Sequence, residues 1–199
     1  MPFKHRLSIL LISIMVILCF TFAYSLLSSR GTLRKEIITH NITQFLKAEK
    51  MTLDKEQLRA IASVVYEESI QHEIDYRLIL AMMKVESNFR HDAVSSKGAR
   101  GLLQVKPSLA KHIAQHAGIK WSGHKTLDEP HNNIRIGVYF FASLMDDFEN
   151  THSALYAYNV GPTRAKRDGA KDRPAEAYKG FPRTVMSEYQ KNMAILPDP

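Results

Sequence analysis

Glu86 ends the apolar run YRLILAMMKVESNF that begins after Asp75, with Ile79, Met82 and Met83 preceding it at steps of three and four. On a helix that spacing puts the carboxylate on the apolar side, away from the wet one. A carboxylic acid deprived of water resists ionisation, so its pKa climbs and it can keep a proton near neutral pH. A group in that state can protonate a leaving oxygen. The same residue could instead sit salt-bridged at a frayed helix end, or cap the loop amides of Lys97 to Ala99. His112 and His116, four apart, would share a helix face at the spacing of a metal pair. No glutamate follows His112 in the zincin manner and no third ligand lies nearby, so no metal site is expected.

Presenting one acid in this way requires helices around it. Thr52 or Asp54 can cap a helix whose Leu58, Ile61, Ala62 and Val65 share a face, and Asp75 can cap the helix of Glu86. A short helix follows Pro107, from Ser108 to Ala117. Between Asn133 and Phe148 the residues Ile134, Val138, Phe141, Leu144, Met145 and Phe148 form one stripe. The apolar, aromatic segment from Ser153 to Tyr158 stops at Gly161-Pro162. No alternating run is long enough for a strand, so the predicted fold is all-α, with helices joined by Gly, Pro and Ser loops. The stretch from Arg164 to Arg183 holds seven basic and three acidic residues, which reads as a solvated face in preference to a polyanion site.

The chain has 199 residues, enough for one domain and an appendage, and its 45% hydrophobic and 24% charged residues support a real core. A net charge of +7 favours anionic partners, yet no nucleic-acid-binding signature accompanies it, and no nucleic acid partner is expected. Cys19 is the only cysteine, which excludes a disulfide within the chain. Residues 7–27, LSILLISIMVILCFTFAYSLL, carry no charge and follow Lys4 and Arg6. As a helix they would reach roughly 31 Å, enough for the hydrocarbon core of a bilayer. The run exceeds a signal-peptide core and has only a weak cut site at Ala23-Tyr24-Ser25, so an uncleaved anchor is expected. The expected organisation is a membrane anchor at 1–30, a stalk at 31–51 and a catalytic domain at 52–199. On the stalk, Ile38, Ile42, Phe45 and Leu46 give a narrow stripe that could pack on the domain or on the membrane.

Four patches surround and follow the acid. They are Glu86-Ser87-Asn88-Phe89 with Ala93-Val94-Ser95, Gly98 to Val105 closing at Pro107, Asp128, Pro130, Asn133-Ile134 and Gly137, and Ala154-Leu155 with Ala157 to Pro162. In order and spacing, over roughly residues 52–165, they resemble the SLT-type lytic transglycosylases, relatives of goose-type lysozyme. The resemblance implies a lysozyme-like α-fold with a groove for the glycan strands of bacterial peptidoglycan. It implies that Glu86 is the one catalytic acid and base, with Ser95, Gln104 and Tyr158 lining the groove and Asn159 holding the segment of Tyr158. For each, a structural role stays open: a loop turn for Ser95, backbone satisfaction for Gln104, a bonded core aromatic for Tyr158.

Glycoside hydrolases generally work with two carboxylates flanking the bond. Here no second acid stands beside the patch of Glu86 except Asp92, at a position that is not catalytic in the family. The resemblance therefore points to internal displacement. Glu86 would protonate the oxygen of the β-1,4 bond between N-acetylmuramic acid (MurNAc) and N-acetylglucosamine (GlcNAc), then accept the proton of the C6 hydroxyl as a 1,6-anhydro ring closes. It implies no cofactor, and with the anchor it implies a single-pass inner-membrane enzyme with its catalytic domain in the periplasm or wall space. Lys106 departs from the pattern, standing where the family usually has methionine, and could meet the lactyl carboxylate or peptide acids of the substrate. Leu103 replaces another methionine, Arg90-His91 replaces a common Asn-Pro, and the segment from Phe181 to Tyr189 matches only loosely. Two alternatives follow: a lysozyme-type hydrolase, and a catalytically silent peptidoglycan-binding module of an envelope machine.

Overall fold

The computed structural model describes the backbone of residues 2–199 and the side chains of residues 15–22, 24–25 and 28–199. Among the described residues eight α-helices run α1 (Pro2–Ala48), α2 (Lys55–Gln71), α3 (Tyr76–Ser87), α4 (Pro107–Ile113), α5 (Pro130–Phe148), α6 (Thr151–Val160), α7 (Pro162–Arg167) and α8 (Phe181–Ile195). Two 3-10 turns, His124–Leu127 and Ala175–Ala177, complete the helical content of the described residues. Among the described residues the only β pairing is two isolated bridges, Val94 with Arg100 and Arg100 with Val105, so the all-α expectation holds.

The helix starts follow local chemistry. Asp54 accepts from the Gln57 amide at 2.8 Å while the Gln57 side chain accepts from the Asp54 amide at 3.1 Å, a reciprocal capping box. Asp75 caps α3 through the Arg77 amide. Proline stands in the first turn of α4, α5, α7 and α8, where its missing N–H costs nothing. Gly161 ends α6 at φ +90°, and Pro162 starts α7 directly, so the predicted break is a corner between two helices.

The chain divides into two units, Met1–Ile37 and Ile38–Pro199. In the first, the described apolar side chains Met15 to Leu18, Phe20, Phe22 and Tyr24 are exposed. Among the described residues no helix is long and apolar enough to cross a membrane, and much of the expected span at residues 7–27 lies outside the described side chains.

The second unit begins ahead of the expected residue 52. Ile38, Ile42 and Leu46, the stripe expected on the stalk, are buried in its core, and Phe45 meets Phe89 edge to face at 5.8 Å. The predicted faces of α2 and α5 are buried, with Met145 half-buried at the edge. Helix α3 departs from the one-faced expectation, because every residue from Tyr76 to Met83 is buried. The reason is α8, which packs along it more extensively than any other helix. Tyr189 donates to Asp75 at 2.8 Å and the Asn192 amide donates to the Arg77 carbonyl at 2.9 Å. Arg77 bridges Asp75 and Asp198, and the Tyr76 hydroxyl donates to the Pro197 carbonyl, so the C-terminus fastens the start of the helix that carries Glu86 at its other end.

Candidate active site

Helix α3 stops one residue after Glu86 because Asn88 and Phe89 both take left-handed backbone conformations, at φ +52° and +60°. The chain then turns back as the loop 90–106. The Ser87 hydroxyl lies between the Met83 carbonyl at 3.1 Å and the Leu102 carbonyl at 3.0 Å, tying this loop to the helix end beside Glu86.

The loop is held from two further sides. Leu103 is fully buried, and side chains satisfy both its backbone groups. Asn133 of α5 accepts from its N–H at 2.8 Å, and Tyr158 of α6 donates to its carbonyl at 2.8 Å. The Asn133 amide also donates to the carbonyls of Arg100 at 2.8 Å and Leu127 at 3.2 Å. Buried peptide groups without partners are costly, so this asparagine fixes the path of the loop. Two glycines make the approach possible: a Cβ on Gly101 would come within 2.3 Å of Asn133 Nδ2, and one on Gly137 within 2.8 Å of Leu103 Cβ.

The result is an open cavity of about 590 Å³, and Glu86, Ser95, Gln104, Tyr158 and Asn159 all line it. The expected site residues are thus brought together from α3, the loop and α6. Glu86 keeps some exposed surface toward the cavity, yet desolvation pushes its carboxyl from 4.5 up to about 7. Tyr158 is driven well above its ordinary value, by burial first and by the nearby Glu86 carboxylate second. Its ring packs against Phe140 at 5.4 Å and Phe141 at 6.1 Å.

Several side chains carry the structural role that the sequence left open. Ser95 Oγ accepts from the Ala99 amide at 3.0 Å, closing the loop turn. Gln104, itself at φ +44°, donates through Nε2 to the carbonyls of Ala93 and Gly101 at 3.1 and 2.9 Å. Asn159 is exposed on the cavity rim and makes no side-chain hydrogen bond among the described residues; the Tyr158 hydroxyl is what ties this segment to the loop. Phe140 also lines the cavity, as do the cations Lys97 and Arg164 beside the anticipated Lys106. Phe140 lies just off the predicted stripe of α5, where only its step of one from Phe141 could have drawn notice. His112 and His116 are exposed, His116 stacks on Tyr139, and among the described residues no group of three potential ligands could hold a metal.

A helical domain that folds a turn-rich loop against one desolvated glutamate defines the class, and the fold has solved counterparts. The 70 kDa soluble lytic transglycosylase of Escherichia coli matches with a TM-score of 0.62 over 79% of this chain and 30% of that one, at 20% identity. The chain belongs to the Transglycosylase SLT domain family, whose profile matches residues 63–181. Proteins named membrane-bound lytic murein transglycosylase C are similar to it: that of Sodalis glossinidius is 31% identical over 132 residues, 60% of this chain and 37% of the relative. That of Photorhabdus laumondii is 33% identical over 128 residues, 57% of this chain and 35% of the relative. The chain thus spans well under half the length of these relatives.

Proposed function

We propose that this chain is a peptidoglycan lytic transglycosylase that cleaves the MurNAc–GlcNAc β-1,4 bond and leaves a 1,6-anhydro-MurNAc end. The observation that carries the reading is Glu86: among the described residues it is the one acid lining the cavity, in a setting that raises its pKa to about 7. At neutral pH such a carboxyl is partly protonated and can act as acid, then as base.

Glu86 gives its proton to the glycosidic oxygen as the C1–O bond breaks and the GlcNAc hydroxyl departs. The N-acetyl group of the MurNAc ring stabilises the electron-poor C1. The resulting Glu86 carboxylate takes the proton from the C6 hydroxyl, whose oxygen bonds to C1. The proton account closes on Glu86, and no water is consumed. Tyr158 supports this by position: its proton is committed to the Leu103 carbonyl, so its oxygen can accept from a protonated Glu86. Gln104, Ser95 and Asn159 form walls and rim against which the acetamido groups and hydroxyls of the sugars can pair.

We assign residues 7–27 as a single-pass inner-membrane anchor with Ile38–Pro199 in the periplasm. Support comes from the uncharged run itself, from the exposed apolar side chains between Met15 and Tyr24, and from the membrane-bound relatives. Carbonate washing of membranes from cells making the full chain should leave it in the pellet; release would refute the anchor. The activity is tested by the mass of products from purified glycan strands. Anhydro ends, one water lighter than hydrolysed ones, are expected from the wild type and should be absent with Glu86→Gln. Hydrated ends would mean a lysozyme-type hydrolase, and no products at all would mean a silent binding module.

A further inference from the structure

We infer that the rim of this cavity selects glycan strands whose stem peptides keep their carboxylates, through Lys97, Lys106 and Arg164. The inference rests on the proposed function and concerns its substrate class. The three cations come from separate segments, the loop, the residue before α4, and α7, yet converge on the cavity that holds Glu86. All three are exposed. Lys97 and Lys106 have no ion pair or side-chain hydrogen bond among the described residues, and Arg164 reaches only Asp168, at 3.5 Å. Some cations elsewhere in this unit find acids, as Lys84 does with Glu49, Arg100 with Asp128 and Lys166 with Asp147, while others lie free on the outer surface; what sets these three apart is that they meet on one cavity.

Nothing in the cavity wall offsets this charge. Among the described residues Glu86 is its only acidic lining residue, and the rise of its pKa through burial leaves it largely neutral below about pH 7. Where a stem peptide is attached, its amide bond takes up the lactyl carboxyl and the N-acetylated sugars carry no charge of their own, so a cationic rim has no complement on the backbone of such a strand. The anions of a peptidoglycan strand lie on its stem peptides, which project from the lactyl groups of alternate sugars. An exposed ion pair adds only about twofold in affinity, so three acting together reach roughly tenfold at low salt and fade as salt rises.

The test compares soluble strands bearing native stem peptides with the same strands after amidation of their carboxylates, which keeps the bulk and removes the charge. Binding is measured with full-length Glu86→Gln in detergent, so no cleavage intervenes. Native strands should bind about tenfold more tightly at low salt, and the ratio should fall below about threefold when Lys97→Gln and Lys106→Gln are added at these exposed positions. Equal binding of the two strands, or a ratio that both lysine substitutions leave intact, would overturn the inference. The outcome is independent of the proposed activity, which fails separately if the wild type releases no anhydro ends from native strands.

Discussion

Replacing Glu86 by glutamine should change stability in a pH-dependent way whose sign is set by the cavity. Burial raises the carboxyl from 4.5 to about 7. At about 1.4 kcal/mol for each tenfold change in acidity, this corresponds to roughly 3 kcal/mol. Between those pH values the folded protein keeps a proton that the unfolded chain has released. Stability is therefore lost as pH rises through this window and is flat above it. Glutamine fills nearly the same space and does not titrate. Urea unfolding of wild type and Glu86→Gln at about pH 5 and about pH 8 isolates the effect, because other groups contribute alike to both proteins. The variant should gain on the wild type by about 2–3 kcal/mol between the two conditions. Parallel pH dependence would show that the carboxyl is solvated, and the argument for a neutral acid would fail. The same titration should appear in the rate, with kcat/KM declining above about pH 7 as the acid loses its proton.

Tyr158→Phe removes the donor to the Leu103 carbonyl and leaves a fully buried acceptor unpaired. A loss of about 1–3 kcal/mol is expected in urea unfolding, and a change below about 0.5 kcal/mol would contradict the assigned role. Gly101→Ala and Gly98→Ala make a matched pair, since both sit at similar positive φ, +73° and +76°, where a side chain costs about 1–2 kcal/mol. Only at Gly101 would the new Cβ also strike Asn133 Nδ2, so Gly101→Ala should melt clearly below Gly98→Ala. Equal melting temperatures would show that the loop does not depend on close approach to Asn133.

Much of this arrangement was legible in the sequence where local chemistry and periodicity agree. Asp54 and Asp75 cap as expected, the faces of α2 and α5 are buried, and Glu86, Ser95, Gln104, Tyr158 and Asn159 share one cavity. Helix α8 was not, because its buried positions, Pro182, Val185 and Asn192, form no apolar stripe. Its grip on α3 works through polar contacts distant in sequence, such as Tyr189 to Asp75. The stripe of Ile38, Ile42 and Leu46 was visible, but a stripe does not name its partner. The pairing of Asn133 and Tyr158 on the two backbone groups of Leu103 is likewise a long-range fact. So is the meeting of Lys97, Lys106 and Arg164, which lie on three separate segments.

Heavy-oxygen water offers the most direct measurement. If Glu86 transfers the proton of the C6 hydroxyl and that oxygen closes on C1, strands cleaved in labelled water acquire no label at the new MurNAc ends, and their mass is that of the anhydro sugar. Incorporation of one labelled oxygen at those ends would mean that water is the nucleophile and would contradict internal displacement.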